Sequence, residues 1–212
     1  MIADVDEPIS TGTTLVAAHF KDGIVIAADS RTSSGSYVAN RVADKLTKIT
    51  DSIYCCRSGS AADTQCIADA VAYHLAFYEM QTGKPATVEA AANVFRNICY
   101  KYRDDMVAGI ICAGYDDERG GGIYSIPPGG CLVEEKRVIS AGSGSVFISG
   151  FLDALFKNNM SKEECVDLCL KAVSLAIHKD TSSGGVCRMA VITKDGVERK
   201  LFLNNELVQY EG

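Results

Sequence analysis

The sequence lacks any run of basic residues, and its 21 lysines and arginines are outnumbered by 27 aspartates and glutamates. A nucleic-acid partner needs a positive surface to meet its phosphates, so the net charge of -6 argues against one. Long apolar runs are lacking too, since the longest, such as residues 107–115, fall far short of the ~20 residues that span a bilayer. The acidic start does not have the layout of a signal peptide. We therefore expect an intracellular protein with no membrane partner.

Histidine is scarce, and cysteine, although plentiful, forms no metal-binding pattern. The three histidines lie far apart, and none of the nine cysteines has C-x-x-C spacing, so a metal site is not expected. The cysteines are scattered through hydrophobic segments, which is typical of reduced core residues rather than of a disulfide framework. Cys55 and Cys56 should face opposite sides of a strand, and Cys165 and Cys169 should share one helix face.

Several common catalytic patterns are missing. There is no GxxxxGK[ST] phosphate loop, no HExxH and no GxSxG elbow, and no histidine has a recognisable partner for a Ser-His-Asp triad. Residues 142–145, Gly-Ser-Gly-Ser, could hold an anion on the backbone N–H groups of a helix start. A tight turn with a serine cap is the simpler interpretation of this segment.

Strand and helix patterns come in blocks, which favours α+β layering within a single domain of 212 residues. Four strands are predicted before two helices, then four strands, two helices and two closing strands. Stacking these blocks gives a four-layer αββα sandwich. The predicted strands are 14–20, 23–29, 45–50, 53–57, 106–115, 122–125, 130–133, 138–141, 186–193 and 197–203. The predicted helices run from Ser60 to about 78 and from Thr87 to about 104, and two more start near Ser145 and at a capping box over 161–164.

The most informative segment is residues 10–14, Ser-Thr-Gly-Thr-Thr, directly before the first predicted strand. Cleavage after Gly12 would make Thr13 the N-terminus. An N-terminal threonine carries a nucleophilic hydroxyl and also a base, its α-amine, whose unperturbed pKa is roughly 7.7–8.0. On its own, a Gly-Thr pair is more often a plain loop before a strand. The interpretation of residues 1–12 as a removable propeptide therefore depends on the rest of the chain.

Five further segments follow this junction. They are 27–32 (Ala-Ala-Asp-Ser-Arg-Thr), 40–45 (Asn-Arg-Val-Ala-Asp-Lys), 56–63 (Cys-Arg-Ser-Gly-Ser-Ala-Ala-Asp), 142–145 (Gly-Ser-Gly-Ser) and 180–185 (Asp-Thr-Ser-Ser-Gly-Gly). In this order and spacing they resemble the beta-type subunits of the proteasome core particle, from Thr13 almost to the C-terminus. The Thr-Gly-Thr-Thr and Cys-Cys-Arg-Ser-Gly-Ser segments look most like the active subunit that cleaves after acidic residues.

The resemblance implies a fold, an activity and partners. The fold is that of the αββα N-terminal-nucleophile hydrolases, with residues 13–212 as one domain. The activity is that of a threonine endopeptidase that cleaves unfolded polypeptides, without metal or cofactor, inside a ring assembly of alpha- and beta-type subunits in the cytoplasm and nucleus. Its nucleophile would be Thr13, with Lys45 beside it and Asp29 holding that lysine. A nearby ammonium stabilises an alkoxide and disfavours protonation of the α-amine.

The resemblance also implies roles around the nucleophile. Ser143, Asp180 and Ser183 would orient the terminal amine and pass protons, and the backbone N–H of Gly59 would face the developing oxyanion. Each has a simpler interpretation as a cap or turn residue.

Arg57 is the expected specificity residue, at the base of the first specificity pocket. Its guanidinium would pair with a substrate Asp or Glu in a bidentate fork. Backbone groups at Ser33 and Gly59 would align the peptide as an added strand. The other positions that match the pocket are small or polar, which leaves room for a carboxylate: Thr32, Ala43, Thr47 and Ala61.

Two alternatives stay open. A non-catalytic beta-type subunit would keep the fold and contacts without an active site, although the presence of Gly12-Thr13, Asp29 and Lys45 disfavours it. A small-amide N-terminal-nucleophile hydrolase would share the layers and the nucleophile but should lack the combination of Asp-Ser-Arg, Arg-Ser-Gly-Ser and Ser-Ser-Gly-Gly segments. With residues 1–12 attached, the chain should be inactive, because an intact Gly12–Thr13 bond blocks the α-amine.

Overall fold

The structure is a computed structural model that describes residues 12–34 and 37–210, so most of the predicted propeptide lies outside the described residues. The strands are β1 (Leu15–Phe20), β2 (Gly23–Ala28), β3 (Thr32–Ser34), β4 (Tyr37–Asn40), β5 (Leu46–Lys48), β6 (Ile53–Gly59), β7 (Ala108–Asp116), β8 (Gly120–Ile126), β9 (Val133–Glu135), β10 (Val138–Ala141), β11 (Cys187–Thr193) and β12 (Gly196–Phe202). The helices are α1 (Ala61–Thr82), α2 (Val88–Lys101), α3 (Ser145–Leu155) and α4 (Lys162–Lys179).

Two five-stranded antiparallel sheets form the centre of the fold. One has the strand order β10-β1-β2-β11-β12 and the other β5-β6-β7-β8-β9, while β3 and β4 form a separate hairpin. Their inner faces pack together through apolar side chains such as Ile26, Ile111 and Ala190. The pair α3 and α4 covers the outer face of the first sheet, and α1 and α2 cover the second. The predicted four-layer αββα sandwich is therefore confirmed.

The predicted side-chain directions of the cysteines are also confirmed. Cys55 faces the helix pair α1 and α2, whereas its neighbour Cys56 lies between the two sheets. Cys165 and Cys169 both pack into the core under α4. All four are buried, and all nine cysteines are free thiols.

Three of the four helices begin at the predicted caps. Ser60, Thr87 and Ser161 each accept a hydrogen bond from a backbone N–H of the first turn, and Ser161 forms the expected capping box with Glu164. The cap of α3 is Gly144, which has no side-chain bond, so a serine cap at that helix is wrong. Among the described residues, no helix is both long and apolar enough to cross a membrane.

Two strand predictions are wrong. Within residues 12–34 and 37–210, six strands precede α1 rather than four. The strands β3 and β4 were missed because they are three and four residues long and lack the alternation that marks a half-buried strand. The segment 130–133 is not a strand: Gly130 closes a turn, where its N–H donates to the carbonyl of Pro127 at 3.1 Å with φ at +79°. The strand instead begins at Val133. The double glycine after two prolines extends the turn further than the apolar residues suggested.

Candidate active site

The β1–β2 hairpin places Asp29 beside the residue that follows Thr13. Antiparallel pairing of Leu15 with Ala28 brings the next residues on each strand, Thr14 and Asp29, side by side. The N–H of Asp29 donates to the carbonyl of Thr14 at 3.2 Å, and the N–H of Thr14 donates to Asp29 Oδ1 at 2.9 Å. A two-residue turn at 21–22 fixes this register, so the hairpin determines the position of Asp29 beside Thr14.

Lys45 lies just before β5 and is buried. Its ammonium donates to Asp29 Oδ1 at 2.7 Å, to Thr13 Oγ1 at 3.1 Å and to the carbonyl of Gly12 at 2.8 Å. Burial lowers the pKa of Lys45, and the charge of Asp29 opposes that shift. The three donors of the ammonium thus point at the carbonyl of Gly12, the hydroxyl of the candidate nucleophile Thr13 and the carboxylate of Asp29.

Asp29 is fully buried and its second oxygen is held by backbone groups. Oδ2 accepts the N–H of Gly184 at 3.0 Å and the N–H of Arg31 at 3.1 Å. Because Gly184 follows α4, this carboxylate joins the first hairpin to the loop that carries Ser183. A buried carboxylate with donors on both oxygens has one orientation, and Lys45 is fixed against it.

Ser143, Asp180 and Ser183 form a second cluster on the other side of Thr13. The N–H of Thr13 donates to Ser143 Oγ at 3.1 Å, and Ser143 Oγ donates to Asp180 Oδ2 at 2.8 Å. Ser183 Oγ donates to the same oxygen at 2.6 Å. Burial alone would raise the pKa of Asp180, but the hydrogen bonds from Ser183 and Ser143 outweigh it and lower the pKa. Asp180 therefore stays ionised beside the nitrogen of Thr13.

The cap and turn interpretations of this cluster hold in part. Asp180 ends α4 and accepts the N–H of Ser182, which is ordinary turn chemistry. Ser143, however, bonds to Thr13 and Asp180 rather than capping α3. Ser143 thus reaches the candidate nucleophile directly, and Asp180 is linked to it through Ser143.

Gly59 ends β6 at the edge of a cavity of about 370 Å³ that Thr13 also lines. Its φ is +104°, and a Cβ there would overlap the carbonyl of Val107, so only glycine fits this turn without strain. Ser60 then caps α1. The position is therefore a strand-to-helix turn whose backbone also borders the open space next to Thr13.

Arg57 lies on β6 with a half-buried guanidinium whose hydrogen bonds are weak. Its Nη1 and Nη2 donate to Thr64 Oγ1 and to the Asp44 carbonyl, each at 3.4 Å. Its Nε is shielded from solvent and has no hydrogen-bond partner among the described residues. The Asp44 carboxylate is held by Arg199 at 2.8 and 3.1 Å, and Arg57 forms no ion pair within residues 12–34 and 37–210. With this arrangement the guanidinium of Arg57 can bind a carboxylate from outside the chain by donating hydrogen bonds to it.

The other predicted pocket residues lie on several elements. Thr47 on β5 pairs with Cys55 on β6, so the two side chains lie on the same face of the sheet. Arg57 is two residues after Cys55 on β6 and therefore lies on that face as well. Ala43 precedes Lys45, and its N–H donates to the carbonyl of Ser30 at 2.9 Å. Of the rest, Ala61 is exposed at the start of α1, and Thr32 and Ser33 lie on β3. Their part in substrate binding stays a prediction.

The residue that sequence reasoning missed is Thr14. It is fully buried, and its Oγ1 lies 2.7 Å from Ser183 Oγ. The threonine doublet at 13–14 was visible, but a second threonine at a strand start is also an ordinary strand former. Only the position of the distant loop that carries Ser183 shows that Thr14 is more than an ordinary strand residue.

Comparison with known proteins places the chain in a family. Residues 9–192 match the family described as proteasome subunits. The chain is 55% identical over 201 residues to proteasome subunit beta type-1 of Saccharomyces cerevisiae, covering 95% of this chain and 93% of that protein. It is 47% identical over 207 residues to proteasome subunit beta type-6 of Arabidopsis thaliana, covering 98% and 88% of the two chains. It is also 45% identical over 202 residues to proteasome subunit beta type-9 of Rattus norvegicus, covering 95% and 91%.

Proposed function

The chain belongs to the family of proteasome subunits, and we propose that it is a catalytic beta-type subunit with Thr13 as its nucleophile. Its partners are the alpha- and beta-type subunits of the core particle. It hydrolyses peptide bonds of unfolded proteins as a threonine endopeptidase, in the cytoplasm and nucleus, with residues 1–12 as its propeptide and 13–212 as the mature domain. The observation that carries this proposal is the buried Lys45 ammonium, which bonds to Thr13 Oγ1 and Asp29 at once.

Processing is the first reaction that this geometry supports. Thr13 Oγ1 attacks the carbonyl carbon of Gly12, the C–N bond breaks, and the nitrogen of Thr13 takes the hydroxyl proton. This shift frees the α-amine of Thr13 and leaves the Gly12 acyl group as an ester on Oγ1. Water then hydrolyses the ester, which releases the Gly12 carboxyl group and frees the Thr13 hydroxyl. The Gly12 carbonyl oxygen accepts a bond from Lys45 at 2.8 Å, so the charge that develops on that oxygen meets an ammonium already in place.

Substrate cleavage repeats this chemistry with a free α-amine. The amine takes the proton of Thr13 Oγ1, the oxygen attacks the peptide carbonyl, and the leaving amine receives the proton as the acyl-enzyme ester forms. Water completes the turnover. Lys45 stabilises the alkoxide electrostatically, while Ser143 and Asp180 orient the amine, and the backbone N–H of Gly59 serves the oxyanion in the cavity beside Thr13.

Gly12→Ala is expected to slow processing. An ideal Cβ at this position would overlap the Cβ and the carbonyl of Ser182, so the chain must shift and carry the Gly12 carbonyl away from Lys45. A displacement of about 1 Å from the reacting geometry can cost about 10²-fold in rate. The intact mass of the subunit, followed during assembly, measures the change. Gly150→Ala is the control, because a Cβ there meets open space; equal rates for wild type and Gly12→Ala would contradict the prediction.

We also propose that the subunit cleaves after acidic residues. The support is Arg57, whose guanidinium has only long hydrogen bonds and an Nε without a partner in the described part of the chain. A substrate carboxylate would replace its lost hydration by a charge-assisted pair, whereas an apolar side chain would leave Arg57 unpaired and a basic one would be repelled.

The experiment that tests the activity and its preference uses core particles in which every other catalytic threonine is substituted. Fluorogenic peptides ending in Asp, Leu and Arg are compared, and wild-type particles should prefer the Asp peptide. Arg57→Ala should weaken that cleavage by about 30-fold or more, since breaking a buried charge pair from one side costs ~2–5 kcal/mol, and should favour the Leu peptide. Arg57→Lys, which keeps the charge but loses the fork, should be intermediate.

The outcomes separate the two parts of the proposal. A wild-type preference for the Leu peptide would reject the assignment of Arg57 and leave the Thr13 mechanism standing. No cleavage of any peptide by particles with a correctly exposed Thr13 would instead favour the non-catalytic alternative. The small-amide alternative has no support from the family match, which is to proteasome subunits.

A further inference from the structure

We propose that Thr14 is a positioning residue that holds together the two halves of the active site, the Asp29–Lys45 pair and the Asp180 cluster. This inference rests on the proposed function, because it concerns the nucleophile at the adjacent position. No other residue of the described site is bonded to Thr13 by a peptide link and hydrogen-bonded to both halves.

The first link is made by the backbone of Thr14. Its N–H donates to Asp29 Oδ1 at 2.9 Å, the same oxygen that accepts from Lys45 at 2.7 Å. Its carbonyl accepts the N–H of Asp29 at 3.2 Å. Any displacement of Thr14 therefore moves the Asp29–Lys45 pair and the reactive threonine together.

The second link is the hydrogen bond between the side chains of Thr14 and Ser183, and the number of available protons determines which of the two donates. Ser183 has one hydroxyl proton, and at 2.6 Å it donates to Asp180 Oδ2, which is ionised and can only accept. Ser183 therefore has no proton left for Thr14, so in their 2.7 Å contact Thr14 Oγ1 is the donor. The hydroxyl of Thr14 is the first member of a chain of hydrogen bonds that runs through Ser183 to Asp180.

That chain ends at the nitrogen of Thr13. Asp180 Oδ2 also accepts from Ser143 Oγ at 2.8 Å, and Ser143 Oγ accepts the N–H of Thr13 at 3.1 Å. Donation by Thr14 supports the position of Ser183, which in turn orients the carboxylate that sets the direction of Ser143. The side chain of Thr14 thus acts on the group that becomes the α-amine of the mature subunit.

Water cannot replace this hydroxyl. Thr14 is fully buried, and a Cβ added to Gly144 would overlap Thr14 Oγ1 while lying 3.2 Å from Ser183 Oγ. The backbone of residue 144 therefore packs closely against the contact on one side. A methyl group in place of Oγ1 would fill the same space and leave Ser183 Oγ without its donor.

The test uses core particles in which this subunit is the only active one, supplied with Thr13 already N-terminal so that processing does not enter. Thr14→Val should lower kcat about 3- to 10-fold, the range expected for one buried hydrogen bond, with KM unchanged. Thr14→Ser should restore kcat, since it keeps the donor and loses only the methyl group. Ser174→Ala removes a buried hydroxyl that donates to the carbonyl of Leu170 and accepts the N–H of Val208, and it should leave kcat unchanged because neither partner belongs to the site.

A double-mutant cycle with Ser183→Ala tests the link itself. If Thr14 acts through Ser183, adding Thr14→Val to Ser183→Ala should cause no further loss, whereas independent effects would multiply. Should Thr14→Val not assemble, Thr14→Cys, similar in size but a weaker donor, takes its place with the same expected loss. An unchanged kcat in Thr14→Val, an equally impaired Thr14→Ser, or multiplying losses in the cycle would overturn the proposal. Turnover that persists in Thr13→Ala particles would instead overturn the proposed function.

Discussion

Thr13→Ala should abolish peptide cleavage by this subunit and leave residues 1–12 attached to it. In the proposed mechanism both reactions need the same oxygen, because Thr13 Oγ1 would attack Gly12 during processing and the substrate afterwards. Loss of a nucleophile that works with a base costs on the order of 10⁴-fold or more in rate. Intact mass and N-terminal sequencing of the subunit from assembled particles measure processing, and the Asp-ending peptide measures cleavage.

Thr13→Ser is the matched variant, because it keeps the hydroxyl and removes only a methyl group. It should be processed and should retain most of the cleavage that Thr13→Ala loses. Both variants keep the backbone N–H that donates to Ser143 Oγ at 3.1 Å, so assembly should be alike. A mature N-terminus on Thr13→Ala in assembled particles would show that a neighbouring protease does the cutting and that self-processing is wrong.

The candidate site could be predicted where its residues are close in sequence or lie at the ends of predicted strands. Asp29 follows β2 in a hairpin whose short turn fixes the register, so its place beside Thr14 follows from the pattern of β1 and β2. Gly59 likewise follows from the junction of β6 with the Ser60 cap. In both cases local backbone geometry determines the position.

Other features do not follow from local sequence patterns, because they depend on distant segments; the family resemblance, and not local geometry, implied that Lys45 lies beside Thr13. Lys45 lies in a polar stretch that looks exposed, and its burial becomes visible only when the β1–β2 hairpin packs against β5 and β6. The role of Thr14 depends on Ser183, far along the chain at 2.7 Å. The hairpin β3–β4 was not predicted because its strands are three and four residues long and lack the alternation of apolar and polar residues, and its contribution through Thr32 and Ser33 stays a prediction.

Lys45→Ala in particles that carry an exposed Thr13 should lower kcat by about 10²-fold or more, the usual loss when an electrostatic stabiliser of developing charge is removed. Lys45→Met keeps most of the side-chain volume without the charge and should lose as much, which separates charge from packing. The control is Lys48→Ala, since Lys48 is exposed at the end of β5, three residues after Lys45, and within the described residues its ion pair is with exposed Asp51; this variant should keep its activity. Supplying the subunit with Thr13 already N-terminal separates turnover from processing.

A loss of assembly would also lower the activity of the Lys45 variants, because removing the cation leaves the buried Asp29 carboxylate without its charge partner. It keeps the backbone donors of Thr14, Gly184 and Arg31, however, so the carboxylate stays hydrogen-bonded and the particles should still form. Burial lowers the pKa of Lys45, and the proposed mechanism needs its ammonium form. Wild-type kcat should therefore fall at alkaline pH below the ordinary lysine value of 10.5, where an exposed lysine would still be charged. That decline should be absent from the residual activity of Lys45→Met. Near-normal turnover by fully assembled Lys45→Ala and Lys45→Met particles would remove Lys45 from the mechanism.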